Sequence, residues 1–157
     1  MKVRVLAVGK TEAGFIKTGI AEYETRIVRM IPFESVEIPA IRASSQVNVN
    51  VTKAKEAEKI MRHIAPPDFV VLLDEKGKEF RSVEFAGFMQ AKFNSSIKSL
   101  VFVIGGPFGF ADSVKARADH TLSLSKMTFS HQMVRLFFFE QLYRGLAIMN
   151  NTGYHHE

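Results

Sequence analysis

Apolar residues recur along the chain with two different spacings. Five short runs rich in Val, Ile, Leu and Phe predict strands over residues 3–8, 33–38, 68–73, 100–104 and 121–125. Between these runs, apolar residues three or four positions apart predict helices over residues 12–30, 51–64, 82–93, 112–118 and 130–150. Strands that alternate with helices are typical of an α/β fold, so we expect a mostly parallel five-stranded sheet with helices on both faces.

The third predicted strand is almost continuously apolar, which is typical of a central strand that is covered on both faces. The charged residues 74–78 follow it, and we expect them to form a turn at the carboxyl end of this strand. Residues 40–50 are mostly polar and predict a mobile loop before the second helix.

The fourth predicted strand ends abruptly in Gly105, Gly106 and Pro107, and Gly109 follows. Glycines at such a place give the backbone freedom and allow close approach to another group. A second polar loop, residues 126–130, follows the fifth strand. Open α/β sheets bind ligands at the carboxyl ends of their strands, so both loops are candidates for a binding site. Two ordinary connections between strands and helices would show the same pattern.

The last predicted helix has large apolar groups on all sides because Leu136, Phe137, Phe138 and Phe139 are consecutive. A helix of this kind must be covered on all sides. Burial of one such Phe contributes about 1.5 to 3 kcal/mol, so exposure of several would be costly. We therefore expect a homodimer that packs through this helix, and a larger core within one chain is the alternative.

The length of 157 residues predicts a single domain over residues 1–157. The chain has no Cys, which excludes disulfides, zinc–thiolate sites and thiol nucleophiles and is compatible with a reducing compartment. No apolar run approaches the roughly 20 residues that a membrane helix needs, and the first residues do not form a signal peptide pattern. We therefore expect a cytoplasmic protein with no membrane partner.

The charge balance favours a polyanionic partner. Lys and Arg number 21 against 16 Asp and Glu, which gives a formal net charge of +5. Cationic side chains that neutralise phosphates release counterions, so this excess favours contact with a nucleic acid. The excess is modest, and by itself it does not establish RNA binding.

Two short motifs suggest binding sites that the rest of the sequence does not support. Residues 9–11, Gly-Lys-Thr, resemble the end of a phosphate-binding loop, but that pattern needs a Gly where the chain has Arg4. The terminal His155 and His156 could suggest a metal site. Adjacent His residues rarely bind one ion, and no other His lies at ligand spacing, so we expect no metal.

A set of short motifs in a fixed order extends over the whole chain. The motifs are Val5-Leu6-Ala7-Val8-Gly9-Lys10, Tyr23, Glu37-Ile38-Pro39, Ile104-Gly105-Gly106-Pro107 with Gly109, Leu122-Ser123-Leu124-Ser125 with Met127-Thr128, His131, Arg135, Glu140-Gln141-Leu142-Tyr143-Arg144 and Tyr154-His155. In this order they resemble the RlmH type of ribosomal RNA large-subunit methyltransferase, which belongs to the SPOUT class. The ordered set is far more specific than any one of its motifs.

The resemblance implies both a fold and an activity. The implied fold has a C-terminal trefoil knot (SPOUT-like), in which the last segment passes through a loop. Knots are rare among protein topologies, so only the resemblance supports this prediction. The implied activity is transfer of a methyl group from S-adenosyl-L-methionine to N3 of a pseudouridine in 23S ribosomal RNA, on the assembled ribosome.

The resemblance also implies site residues, position by position. The cofactor site would be formed by Leu73, Gly106, Ser125, Lys126, Met127, Thr128, Phe129 and Ser130. His155 is the candidate catalytic proton acceptor or orienting group, and Tyr154 would stack on the target base or hydrogen-bond to it. Because this tail follows the predicted interface helix, we expect it to complete the site of the partner subunit.

Contacts with ribosomal RNA are expected from Arg135, Arg144 and His131. The two arginines could equally well pair with Glu140 and its neighbours.

Two positions depart from the pattern of the family. Members often have Arg where this chain has His156, which leaves the RNA or cofactor contact of that side chain open. They often have Pro where this chain has Ser130, which predicts a less rigid cofactor loop.

The lack of Cys agrees with methylation at a nitrogen. Methylation at carbon 5 of a pyrimidine normally needs a thiolate, which this chain cannot supply. An imide nitrogen needs only loss of its proton and in-line alignment with the methyl group. A noncatalytic ribosome- or RNA-binding protein of the same fold is the alternative. A flavodoxin-like nucleotide binder is a third hypothesis, but no phosphate loop follows the first strand.

Overall fold

The computed structural model describes residues 1–42 and 48–156. Within these residues, strands alternate with helices in the predicted order. The strands are β1 (Lys2–Val8), β2 (Phe33–Ile38), β3 (Phe69–Glu79), β4 (Ser99–Ile104) and β5 (His120–Ser123). The helices are α1 (Gly14–Ile27), α2 (Val49–Met61), α3 (Ser82–Phe93), α4 (Asp112–Arg117) and α5 (Met133–Met149).

The described strands form one sheet in the order β2-β1-β4-β3-β5. Every neighbouring pair is parallel, which confirms the predicted five-stranded sheet. Because β3, β4 and β5 are adjacent and point the same way, the loops that follow them meet at one edge of the sheet. The trefoil knot stays a prediction.

Both faces of the sheet are covered by helices, as predicted. In β4, Leu100, Phe102 and Ile104 pack on the face that α1, α3 and α5 cover. Val101 and Val103 alternate with them and pack on the face that α2 and α4 cover. This alternation follows from the period of two in a strand, and an apolar residue at every position buries both faces.

The predicted charged turn at residues 74–78 is wrong. Strand β3 continues to Glu79 and pairs its last residues with β5, after an irregularity between Leu73 and Lys78. Gly77 permits this pairing, because a Cβ there would lie 2.7 Å from backbone atoms of Thr121 and Leu122. Residues 74–77 have no paired residue in β5, and the pairing of Lys78 and Glu79 continues the strand beyond them.

The structure differs from the predicted boundaries around α2. Helix α2 begins at Val49, inside the predicted loop over residues 40–50. The Asn48 side chain accepts a hydrogen bond from the Asn50 backbone N–H at 3.0 Å and so caps the helix. Residues 43–47 of the predicted loop lie outside the described residues.

The apolar surface of α5 is largely covered within the chain. Phe138, Phe139 and Leu142 are buried against the sheet and the neighbouring helices. Phe137 remains 40% exposed, and its ring lies 4.8 Å from that of Phe129. A core within one chain therefore covers most of the helix, which is the alternative that the sequence left open. The homodimer stays a prediction.

His120 lies at the start of β5 between aromatic rings, with its centroid 5.1 Å from that of Phe88 and 5.7 Å from that of Phe80. Its Nε2 is buried without a hydrogen-bond partner among the described residues. Burial lowers the pKa of His120, and the charges of Lys78 and Lys92 lower it further. The folded protein therefore resists protonation at this position.

We expect the free energy of unfolding to decrease as the pH falls below about 6.5, where an unfolded His binds a proton and the folded His120 does not. Urea denaturation from pH 7.5 to 5.5 would measure this slope. The His120→Phe variant should show a smaller slope over the same range. Equal slopes in both proteins would contradict the expectation.

Candidate active site

A cleft of about 690 Å³ lies at the carboxyl ends of β3, β4 and β5. Three segments form its walls. They are residues 73–76 of β3, residues 104–110 after β4, and residues 122–131 after β5 (without Lys126). We refer to residues 105–109 as the glycine loop and to residues 124–132 as the β5 loop. Their meeting at one edge follows from the parallel sheet.

The glycine loop is a tight turn that needs its glycines. The Gly109 N–H donates to the Gly106 carbonyl at 3.2 Å. Gly109 has a φ of 75°, in the left-handed region that favours glycine. A Cβ at Gly105 would lie 3.1 Å from the ring of Phe110, and a Cβ at Gly106 would lie 3.2 Å from the carboxylate of Glu56. The loop therefore has little room for side chains on these two sides.

Side-chain hydroxyl groups hold the β5 loop in shape. Ser123 Oγ donates to the Ser125 carbonyl at 2.9 Å, and Ser125 Oγ accepts from the Met127 N–H at 2.9 Å. Thr128 Oγ1 donates to a carboxylate oxygen of Glu75 at 3.0 Å, which ties this loop to the end of β3. The sequence did not reveal Glu75 as a partner, because the two residues meet only through the pairing of β3 with β5.

Ser130 connects the β5 loop to helix α5. Its Oγ accepts from the Met133 N–H at 3.2 Å, and its carbonyl accepts from the Val134 N–H at 3.0 Å. These bonds satisfy two of the free N–H groups at the start of α5. They also explain why the helix begins at Met133 rather than at the predicted residue 130. Ser130 thus anchors the end of the loop. A proline at this position has no hydroxyl group, so it could not accept the hydrogen bond from the Met133 N–H through its side chain.

The structure brings most of the predicted cofactor residues to one place. Seven of the eight line the cleft: Leu73, Gly106, Ser125, Met127, Thr128, Phe129 and Ser130. Lys126 is exposed and does not line it. His131, a predicted RNA contact, also lines the cleft and is exposed. The role of these residues in binding a cofactor stays a prediction.

Arg135 does not match its predicted role in RNA binding. It is 1% exposed, and its guanidinium donates to the carbonyl groups of Val8 at 2.6 Å and Gly9 at 2.8 Å and to Thr11 Oγ1 at 3.1 Å. Its Nε donates to the His131 carbonyl at 3.3 Å. The guanidinium is thus turned away from solvent, where a phosphate would lie, and it joins the start of α5 to the end of β1.

Arg144 adopts the alternative that the sequence left open. Its Nε and one terminal nitrogen donate to the same carboxylate oxygen of Glu140, at 2.9 and 2.6 Å. This pair lies one helical turn apart on α5 and is partly buried, with side-chain exposures of 26% and 20%. The hydrogen bond that Arg144 donates to Glu140 raises the pKa of Arg144. A contact between Arg144 and RNA stays a prediction.

The terminal residues lie along α5 and not in the cleft. The Tyr154 ring lies 4.7 Å from the ring of Tyr143, and the Arg144 guanidinium lies 4.8 Å from the Tyr154 ring. An Arg144 terminal nitrogen is 3.3 Å from His155 Nδ1. The first cleft residue on α5 after the loop is Val134, about 15 Å along the axis from Arg144 at 1.5 Å per residue. The predicted catalytic residues, Tyr154 and His155, are thus separated from the cleft of the same chain.

Glu56 is a residue of the site that the sequence did not reveal. It is 6% exposed on α2, and its carboxylate faces the glycine loop. The charged pattern of α2 suggests a solvated surface, but Glu56 shares the inward side of the helix with Thr52 and Ile60. The spacing was the signal in the sequence that could have revealed it: Glu56 lies one helical turn from both Thr52 and Ile60.

The part of the chain that the structure describes contains no group of three or more His, Cys, Asp or Glu side chains that could hold a metal ion. No helix among residues 1–42 and 48–156 is long and apolar enough to cross a membrane.

The comparisons with known proteins bear on what this cleft does. The family model described as a predicted SPOUT methyltransferase matches residues 1–155. The chain belongs to the SPOUT methyltransferase family. Proteins named ribosomal RNA large subunit methyltransferase H are 48% identical in Parabacteroides distasonis and 43% identical in Porphyromonas gingivalis. Both alignments cover 100% of this chain and 100% of the relative.

Solved structures support the fold of this SPOUT methyltransferase. A probable methyltransferase from Bordetella pertussis Tohama I matches with a TM-score of 0.55 and 12% identity, over 92% of this chain and 93% of the other. A probable methylase family protein from Haemophilus influenzae Rd KW20 matches with a TM-score of 0.54 and 12% identity, over 97% and 67%. At this identity the matches show a shared fold, and the whole-length relatives carry the methyltransferase function.

Proposed function

We propose that this SPOUT methyltransferase transfers a methyl group from S-adenosyl-L-methionine to N3 of a pseudouridine in 23S ribosomal RNA, on assembled ribosomes in the cytoplasm. The observation that carries the proposal is the single cleft that the ends of β3, β4 and β5 form together. The names of the whole-length relatives support the choice of ribosomal RNA. The formal net charge of +5 favours a polyanionic substrate.

The cleft has the size and the lining that a bound adenosyl group requires. Its volume is about 690 Å³, within the range of small-molecule sites. Leu73, Ile104 and Leu122 supply apolar surface, and the glycine loop and the β5 loop supply backbone groups. Leu73, Gly106, Ser125 and residues 127–130 would hold the cofactor, and its sulfonium group supplies the methyl group.

His155 and Tyr154 have different chemical capacities in this mechanism. The pKa of Tyr154 is raised to about 12, mainly because the side chain is buried and secondly because it forms a hydrogen bond with Tyr23. Its phenol therefore keeps its proton near neutral pH and can donate a hydrogen bond or stack on a base. The imidazole of His155 is the group that can accept the N3 proton, because a neutral imidazole has one ring nitrogen that is free to accept.

The separation of the tail from the cleft supports a homodimer. His155 contacts Arg144, which lies about 15 Å along α5 from the cleft residue Val134. Phe15 is 68% exposed on α1, and Phe137 is 40% exposed on α5. A second subunit packed on these helices would cover apolar surface and bring its own tail to the cleft.

The test is methyl transfer from labelled S-adenosyl-L-methionine to ribosomes from cells that lack this enzyme. We expect incorporation at one pseudouridine of 23S ribosomal RNA and binding of S-adenosyl-L-homocysteine in calorimetry. Binding to ribosomes without incorporation would contradict the proposed activity and favour the noncatalytic alternative. Absence of S-adenosyl-L-homocysteine binding would contradict the proposed cofactor.

The Gly106→Val variant is expected to bind S-adenosyl-L-homocysteine at least tenfold more weakly than the wild type. Its Cβ would already lie 3.2 Å from the Glu56 carboxylate, so the added methyl groups must displace the glycine loop that borders the cleft. Isothermal titration calorimetry measures the affinity. Gly87→Val on α3 is the matched control, because nothing lies within 4 Å of its Cβ position. Equal affinities in the two variants would contradict the role of the glycine loop.

A further inference from the structure

A second cavity, of about 270 Å³, lies behind the glycine loop at the ends of β1 and β4. Gly106, Pro107, Phe108 and His131 border both this cavity and the main cleft. The glycine loop therefore separates two adjoining spaces. A group bound in the second cavity would lie directly beside a cofactor bound in the cleft.

Glu56 is the buried carboxylate of this cavity. It is 6% exposed, and its oxygen atoms lie 3.2 and 3.3 Å from the Cβ position of Gly106. Among residues 1–42 and 48–156, no hydrogen-bond donor pairs with it. Burial raises the pKa of Glu56, and the charge of Lys59 opposes this only in part. A buried acceptor without a donor is costly for the folded protein, so a donor from a bound molecule would relieve that cost.

A buried carboxylate distinguishes the second cavity from the other space beside the cleft. That other space, of about 330 Å³, is lined by apolar side chains such as Phe80 and by the polar Arg81 and Gln141, and none of its lining residues is a carboxylate. The second cavity instead offers Glu56 and the hydroxyl-bearing Thr52, together with Gln132. An N–H donor on a nucleobase edge therefore finds a carboxylate acceptor in the second cavity and none in the other space.

We propose that the Glu56 carboxylate accepts a hydrogen bond from N1–H of the target pseudouridine and thereby selects pseudouridine over uridine. The inference rests on the proposed function and deepens it. Pseudouridine is joined to ribose through carbon 5, so its N1 keeps a hydrogen, whereas N1 of uridine carries the ribose. N1 and N3 flank the same carbonyl carbon, and their bonds diverge. The base can thus present N1–H to Glu56 while N3 faces the cleft, and no proton is transferred to Glu56.

The experiment compares two kinds of ribosome from cells that lack this methyltransferase. One kind carries pseudouridine at the target, and the other comes from cells that also lack the pseudouridine synthase and carries uridine. For each kind, kcat/KM is measured with the wild type, Glu56→Met, Glu56→Gln and Glu58→Met. Glu58 lies on the same helix and is exposed, so its substitution is the matched control.

We expect Glu56→Met to reduce the preference for pseudouridine over uridine by about tenfold or more, as for loss of one hydrogen bond to a charged group. Glu56→Gln keeps an oxygen acceptor and should retain part of the preference. Glu58→Met should leave the preference unchanged. Glu56→Met should also melt at the same temperature as the wild type or higher, because it removes an unpaired buried carboxylate.

Each contrary result has a distinct meaning. A wild type that methylates neither kind of ribosome contradicts the proposed function itself. A wild type that methylates pseudouridine, with an unchanged preference in Glu56→Met, overturns the role of Glu56. Equal losses on both ribosomes in Glu56→Met and Glu56→Gln would assign proton transfer to Glu56 and overturn the inference. Lower melting temperatures in both variants would assign it a structural role and also overturn it.

Discussion

A variant that lacks residues 154–157 is expected to bind S-adenosyl-L-homocysteine with wild-type affinity and to lose at least about 100-fold in methyl transfer. None of the described residues of this tail lines the cleft, so the cofactor contacts remain. The proposed proton acceptor His155 and the proposed stacking residue Tyr154 are both removed. Calorimetry and the ribosome assay measure the two effects separately.

Mixing of two impaired variants, at a cofactor concentration too low to fill the Gly106→Val cleft, tests whether the tail acts on the partner subunit. One variant lacks residues 154–157 and keeps an intact cleft, and the other carries Gly106→Val and keeps an intact tail. If the tail completes the partner's cleft, each mixed dimer has one complete site. Random exchange of subunits should then restore about a quarter of the wild-type activity.

The arrangement within one chain predicts the opposite outcome. If each tail served its own cleft, no subunit in the mixture would carry both an intact cleft and an intact tail. Activity no higher than that of the separate variants, in a sample shown by mass spectrometry to contain mixed dimers, would therefore contradict the shared site. A protein that sediments as a monomer at micromolar concentration would contradict the homodimer.

The sequence predicts the fold well where local pattern decides structure. Alternate packing of Leu100, Val101 and Phe102 on opposite faces of the sheet follows from a period of two in a fully apolar strand. The pattern fails at residues 74–79, because charged residues are typical of a turn, whereas the pairing of Lys78 and Glu79 with β5 continues the strand. That pairing depends on Gly77 and the backbone of Thr121, which are far apart in sequence.

The candidate site is predictable to the same degree. The rule that ligands bind at the carboxyl ends of parallel strands places the glycine loop and the β5 loop together, and the structure does so. The rule does not reveal which arginine side chains face solvent. Arg135 and Arg144 both lie on α5 among apolar residues, and the sequence gives them the same roles. Only the tertiary structure shows that the end of β1 surrounds Arg135 with carbonyl groups.

The Arg135→Met variant is expected to lose about 3 kcal/mol or more in the free energy of unfolding. The substitution leaves the buried carbonyl group of Val8 and the partly buried carbonyl group of Gly9 without their donor. Burial lowers the pKa of Arg135, and the charges of Glu37 and Glu12 oppose this shift. Urea denaturation monitored by circular dichroism measures the loss. A loss of this size is a large part of the stability of an ordinary domain.

Arg26→Met is the matched control, because Arg26 pairs with Glu22 on the surface of α1. Its guanidinium also lies 5.5 Å from the Tyr143 ring, so we expect a loss of about 1 kcal/mol or less. Arg135→Met should in addition weaken S-adenosyl-L-homocysteine binding, since Arg135 Nε holds the His131 carbonyl at the end of the β5 loop. Equal losses of stability in the two variants would show that the buried guanidinium contributes no more than a surface cation. Arg135 would then not be what joins the loop to the end of β1.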